Sequence, residues 1–247
     1  MSLARGLSVI RAFGEGKSAL GMADVARITG ISRAAARRCL HTLSVLGYAT
    51  GVDGSYVLTP AVLGLGEAYL GSDAVTRAAQ PVLERVSDRL HESASMAVLE
   101  GQEIVYVARV ATRRILSIGL AVGSRLPAVS TSMGRVMVAF TEPAARARFL
   151  ARVKPVRHTP HTIVDKAELS AELSRIRAQG FAVVDQELEM GLRSMAVPIL
   201  RSVGTAAAAI DVGVHAGRVD WKALEREVLP VLLEAAREIA VAAGLTR

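Results

Sequence analysis

Three arginines, Arg33, Arg37 and Arg38, crowd into the stretch "ISRAAARRCLHTLSVLGY" that runs from Ile31 to Tyr48. A guanidinium presents a planar fork of N–H donors, which suits bidentate bonds to a guanine edge or to a phosphate. Ser32, just before the run, is a helix-capping residue. At the helical period Ala36, Cys39, Leu40, Leu43 and Leu46 fall on one side, and Ala34, Arg37, Arg38 and His41 on the other, with Arg33 beside them at the first turn. One face is built for a core. The opposite face is basic with a small residue in its middle, so it can approach a polyanion closely. The first turns of such a helix reach furthest, which puts Ser32, Arg33, Ala34 and Arg37 at base edges and Arg38 and His41 nearer the phosphates.

A second set of residues suits a small carboxylate. Ser130, Thr131 and Ser132 precede the helical "MGRVMVAF", so hydroxyls and free backbone N–H groups converge at a helix start; an ordinary N-cap is the simpler reading. Asp211 lies inside the apolar "AAAAIDVGV", where an unpartnered carboxylate is costly and needs a ligand hydroxyl, an arginine or a backbone amide. Ser194, after Arg193, is a small polar residue entering another core strand. Other charged groups carry less. Arg109, Arg113 and Arg114 read first as a solvated hairpin edge and only secondarily as a steering patch for anions. Asp185, Glu187 and Glu189 alternate, which places them on one strand face toward solvent or a subunit. His158 and His161 flank Pro160 without a helical frame or a third ligand, so no metal and no cofactor is expected. A hydrolase or isomerase using Asp185, Asp211 and a histidine is the enzymatic alternative, and no G-x-S-x-G elbow, phosphate loop or metal triad supports it.

The elements that must position these groups emerge from the pattern of the 247 residues, enough for one large or two ordinary domains. The net charge of +7 is concentrated early: residues 1–50 hold seven Lys or Arg against Glu15 and Asp24, a net +5. Aromatics make up 4% of the chain, too few for a base-stacking platform, so duplex DNA is the better polyanion. Cys39 is the only cysteine, which excludes an intrachain disulfide, and no run approaches the ~18 apolar residues of a membrane helix. A cytoplasmic protein with no membrane partner is expected. Ser2 caps a first helix ended by Gly14 and Gly16, Met22–Thr29 is a short helix, Gly30 its terminator, and Asp53-Gly54 turns a hairpin. That order, helix, glycine turn, basic helix, hairpin, is a winged helix-turn-helix over residues 1–59. Residues 60–74 read as a linker helix, and 75–247 as an α+β domain with helices covering a mostly antiparallel sheet.

"SLARGLSVIRAF", "DVARITGISRAAARRCLHTLSVLGY", "RLPAVSTSMGRVMVA" and "LEMGLRSMAVPI" together resemble the IclR family of bacterial transcriptional regulators, most of all its branch controlling aromatic-acid catabolism, the protocatechuate and β-ketoadipate pathway regulators. The resemblance covers nearly the whole chain. It implies a winged helix on a duplex operator, a linker helix, a GAF-like domain that binds a small aromatic or dicarboxylic acid, and homodimers that can pair into tetramers. Carried over position by position, it implies effector contacts at Ser132, Met133, Asp185, Ser194 and Asp211. Relatives commonly have serine or asparagine where Asp211 stands. An acid there repels a nearby carboxylate and is better matched by a hydroxyl or a paired arginine, which suits a hydroxy-aromatic acid with its carboxylate at the helix start and its ring against Met133.

Overall fold

The computed structural model describes residues 2–14, 18–112 and 119–246. The chain divides into two compact units, Met1–Leu70 and Gly71–Arg247. In the first, helices α1 (Ser2–Ala12), α2 (Met22–Thr29) and α3 (Arg33–Val45) are followed by an antiparallel hairpin of β1 (Ala49–Val52) and β2 (Ser55–Leu58). Local chemistry sets each boundary. Gly30 takes the left-handed conformation (φ 70°) that ends α2, and the Ser32 hydroxyl accepts from Ala35 N at 3.2 Å to start α3. Asp53 (φ 48°) and Gly54 (φ 76°) are both left-handed, as a two-residue hairpin turn requires. Leu20 exchanges two backbone bonds with Tyr56, tying the hairpin to the loop before α2. Val9, Val25, Ala36, Leu40 and Leu43 fill the core between the helices. Ala35 is buried there too, whereas Leu46, expected on the core face, is 62% exposed because α3 stops at Val45. α1 includes Ser2 itself, and Gly16 lies outside the described residues.

Thr59 caps a short 3-10 turn over Pro60–Val62, and α4 (Leu63–Ser72) comes next. The second unit begins with α5 (Ala74–Leu90), capped by Asp73. Its sheet contains β3 (Ser93–Glu100), β4 (Glu103–Val110), β5 (Arg125–Pro127), β6 (Ala182–Asp185), β7 (Leu192–Leu200) and β8 (Ala206–His215). They lie in the order β5-β4-β3-β8-β7-β6, with every pair antiparallel. Between β5 and β6 come α6 (Ser132–Ala139), α7 (Pro143–Arg152) and α8 (Lys166–Gln179); a short turn α9 (Trp221–Ala223) and a π-helical segment then lead into α10 (Leu229–Ala242). α5 and α10 pack together against the sheet, and α6, backed by α8, packs against β3, β6, β7 and β8. All eight residues of α6 are buried. A Cβ at Gly134 would stand 2.2 Å from the Ala128 carbonyl oxygen, so only glycine lets α6 approach the turn that precedes it.

The β3–β4 ladder is irregular at one point. Met96 pairs with Ala108 but Ala97 pairs with Tyr106, which leaves Val107 as an extra residue in β4. This β-bulge reverses the alternation of side chains beyond it.

Candidate functional site

α3 presents its basic residues outward. Ser32, Arg33, Ala34, Arg37, Arg38 and His41 are all exposed, while Ala35, Ala36, Leu40 and Leu43 anchor the opposite side. The helix contains no acidic residue, so the positive strip is not neutralised from within. An exposed, capped helix ahead of a hairpin can lie in a major groove with Arg33 and Arg37 at base edges.

In the second unit a cavity opens between the sheet, the turn before α6 and the loop before β7. Two rows of residues cross the strands to form its wall. In one, Ser95 on β3 stands opposite Arg109 on β4 and Asp211 on β8. In the other, Gly213 on β8 lies between Ser93 on β3 and Ser194 on β7, which in turn faces Val184 on β6. Ser130 and Thr131 approach from the turn before α6, Leu188, Glu189 and Leu192 from the loop side, and Leu120 and Leu126 from near β5. The Thr131 hydroxyl accepts from Gly134 N at 3.2 Å and caps α6, whereas Ser130 Oγ is buried without a protein partner. A free hydroxyl beside a helix N-terminus suits a carboxylate.

Asp211 is the most perturbed group here. Burial pushes its carboxyl from 3.8 up to about 7, and Arg109 and a hydrogen bond from Ser95 oppose that rise. Arg109 Nη1 donates to Ser95 Oγ at 3.1 Å, and Arg109 Nε is buried with no protein partner. Burial, followed by the field of Asp211, also raises the Tyr106 hydroxyl, so this cavity residue remains a neutral donor.

Of the five effector positions carried over from the resemblance, Ser194 and Asp211 share this wall. Ser132 and Met133 are fully buried in α6 and do not line the cavity; Met133 belongs to the core beneath the sheet, so it offers no ring-stacking surface. Asp185, at the end of β6, instead accepts from Arg193 Nη2 at 2.7 Å. Arg109 is not the solvated edge that its hairpin suggested, because the bulge at Val107 turns it to the same side as Tyr106. Arg113 and Arg114 lie outside the described residues. The three alternating acids do not share one strand face either: β6 ends at Asp185, Gln186 is left-handed (φ 59°), and Glu187 is buried. Glu187 takes a bidentate bond from Arg135 at 2.6 and 2.5 Å, while Arg135 Nε donates to Val129 O at 2.7 Å. That pair ties the loop before β7 to the turn before α6. Ser93 and Ser95 had a readable signal, two serines at strand period in an apolar run, of the kind that pointed to Asp211. Among the described residues no cluster of three or more His, Cys, Asp or Glu could hold a metal, and no helix is long and apolar enough to cross a membrane.

Residues 2–53 match the IclR helix-turn-helix domain, and residues 67–241 match the family described as bacterial transcriptional regulator IclR C-terminal. The chain belongs to the IclR family. This IclR regulator is 51% identical to the Pca regulon regulatory protein of Pseudomonas putida over 96% of this chain and 82% of that one. It is 34% identical to the p-hydroxybenzoate hydroxylase transcriptional activator of Acinetobacter baylyi, over 96% of this chain and 89% of that one. A transcriptional regulator of Rhodococcus sp. RHA1 superposes with a TM-score of 0.89 at 43% identity, covering 98% of each chain. An IclR homologue of Microbacterium hydrocarbonoxydans, solved in complex with 4-hydroxybenzoate, superposes at 0.86 with 27% identity and full coverage of both chains. The IclR protein is thus a DNA-binding transcriptional regulator with an effector-binding domain, and its relatives are regulators rather than enzymes.

Proposed function

We propose that this IclR regulator controls genes of aromatic-acid catabolism, reading its operator through α3 and sensing an aromatic or dicarboxylic acid in the cavity of its second unit. In this reading residues 1–59 bind DNA, with Ser32, Arg33, Ala34 and Arg37 at base edges and Arg38 and His41 on the backbone. Residues 60–74 link, and 75–247 bind the effector and oligomerise. The observation that carries the proposal is the cavity wall. Ser194, Asp211, Ser95 and Arg109 meet Ser130 and Thr131 across a space to which Leu120, Leu126 and Leu188 add apolar surface, a setting for a flat molecule with polar groups at its edge. The Microbacterium homologue complexed with 4-hydroxybenzoate and the two regulators named for the pca genes and p-hydroxybenzoate hydroxylase support that class of ligand.

A homodimer that pairs into a tetramer on an inverted-repeat operator, in the cytoplasm, completes the proposal. Exposed Leu3 (75%), Leu7 (47%), Leu46 (62%) and Leu65 (49%) line one groove of the first unit and support self-association there. The test is titration calorimetry with 4-hydroxybenzoate, protocatechuate and β-ketoadipate, joined to footprinting of the gene's own upstream region with and without each acid. Binding of one acid together with a changed footprint is the expected result. Binding of none of them, or a footprint indifferent to all, overturns the effector assignment, and uniform binding to random duplex overturns the operator.

A further inference from the structure

Arg109, the one cation on the cavity wall among the described residues, donates to Ser95 beside Asp211 and also acts on the Asp211 carboxyl through its charge. We propose that Arg109 is a positioning residue which, through its charge and through the serine it holds, keeps the Asp211 carboxylate a hydrogen-bond acceptor, so that the cavity favours aromatic acids with a ring hydroxyl over the same acids without one. This rests on the reading of the cavity as the effector site.

The three residues form one cross-strand row, Arg109 and Asp211 each paired in register with Ser95. Arg109 Nη1 occupies a lone pair of the Ser95 hydroxyl, which leaves the serine's own hydrogen to point at Asp211. Burial alone drives Asp211 toward its neutral form; the guanidinium and the serine hydrogen bond oppose that. An ionised carboxylate only accepts. A phenolic O–H satisfies it with a charge-assisted bond, and a ring C–H in its place does not. The other groups around Asp211 leave that balance intact. Tyr106 on β4 stays neutral, Ala196 opposite on β7 carries no charge, and Ser130 and Thr131 do not titrate. Glu189, from the loop before β7, lines the same cavity with a carboxylate of its own.

The experiment compares dissociation constants of the full-length protein for 4-hydroxybenzoate and benzoate by calorimetry. Measurements at about pH 6 and about pH 8 bracket the value near 7 that burial gives Asp211. Any bond that Arg109 Nε makes to a carboxylate is common to both acids and cancels in the ratio. Near pH 8 the hydroxylated acid is expected to bind on the order of tenfold tighter, with the ratio shrinking near pH 6 as Asp211 takes up a proton. Arg109→Gln is expected to lower the ratio near pH 8 and to move its pH dependence upward. Ser95→Ala, which keeps both charges and removes the hydrogen-bonded link, is expected to shift the ratio in the same direction by less and stands in if Arg109→Gln fails to fold. Asp211→Ser flattens the ratio at every pH. Equal binding of the two acids near pH 8, or an unchanged ratio and pH profile in Arg109→Gln and Ser95→Ala, overturns the inference while leaving the cavity as the effector site. Absence of binding by either acid overturns both.

Discussion

A guanidinium that forks onto a guanine edge and one that meets only phosphate fail differently when removed. Arg33→Ala or Arg37→Ala is expected to cost ~1–3 kcal/mol on the preferred operator and much less on random duplex. Arg38→Ala is expected to weaken every sequence alike and to reduce the slope of log affinity against log salt by about one. Gel shifts on both duplexes across a salt series check this, and equal losses everywhere for all three variants contradict the division of roles. Asp211 has a pH signature of its own in stability. Its folded value is raised from 3.8 to about 7, so between those limits the folded protein holds a proton that the unfolded chain has released. The contribution is therefore absent below the lower limit, becomes steadily unfavourable as pH rises, and levels above the upper one. Asp211→Asn is expected to gain on the native protein by on the order of 2 kcal/mol between about pH 5 and about pH 8, read by urea unfolding. A constant difference at both pH values rules out a buried ionisation.

At the scale of elements, the cavity depends on a loop and a turn held by the Arg135–Glu187 pair, both partners buried. Glu187→Gln leaves a buried guanidinium without its counter-charge and is expected to destabilise by ~3–5 kcal/mol, whereas replacing both residues by apolar ones of similar volume is expected to be far milder. A double-mutant cycle in urea measures the coupling, and additive losses argue against the pair as a unit. The same scale explains what could be read from the sequence. Ser32, Gly30 and Asp53-Gly54 act on their immediate neighbours, so caps, turn and hairpin were legible, and with them the exposure of the arginine face. The antiparallel sheet was legible from strand runs. The cavity was legible only in part, because Ser95, Arg109 and Asp211 meet through a register that joins strands far apart in sequence. Asp211 betrayed itself as a charge in an apolar strand. Arg109 did not, because strict alternation from Tyr106 points it outward and one unpaired residue reverses that.

For the whole molecule, regulation requires that acid and operator bind the same chain with linked affinities. If a saturating acid changes operator affinity by some factor, saturating operator must change the acid's dissociation constant by that factor, since the coupling free energy is one quantity. Titrating 4-hydroxybenzoate with and without operator duplex checks it; an acid whose affinity ignores the operator does not control binding to it.

The unpaired Val107 has a further consequence for descent. At unchanged hairpin length, a ladder that ran regularly past this point would set Ala108 opposite Ser95 and turn Arg109 outward, swapping a cationic pocket lining for an uncharged one without altering either letter. Ligand preference among homologues can therefore diverge through ladder register as readily as through substitution, and a column-by-column comparison that ignores strand parity will credit an arginine to the binding wall in proteins where it faces water.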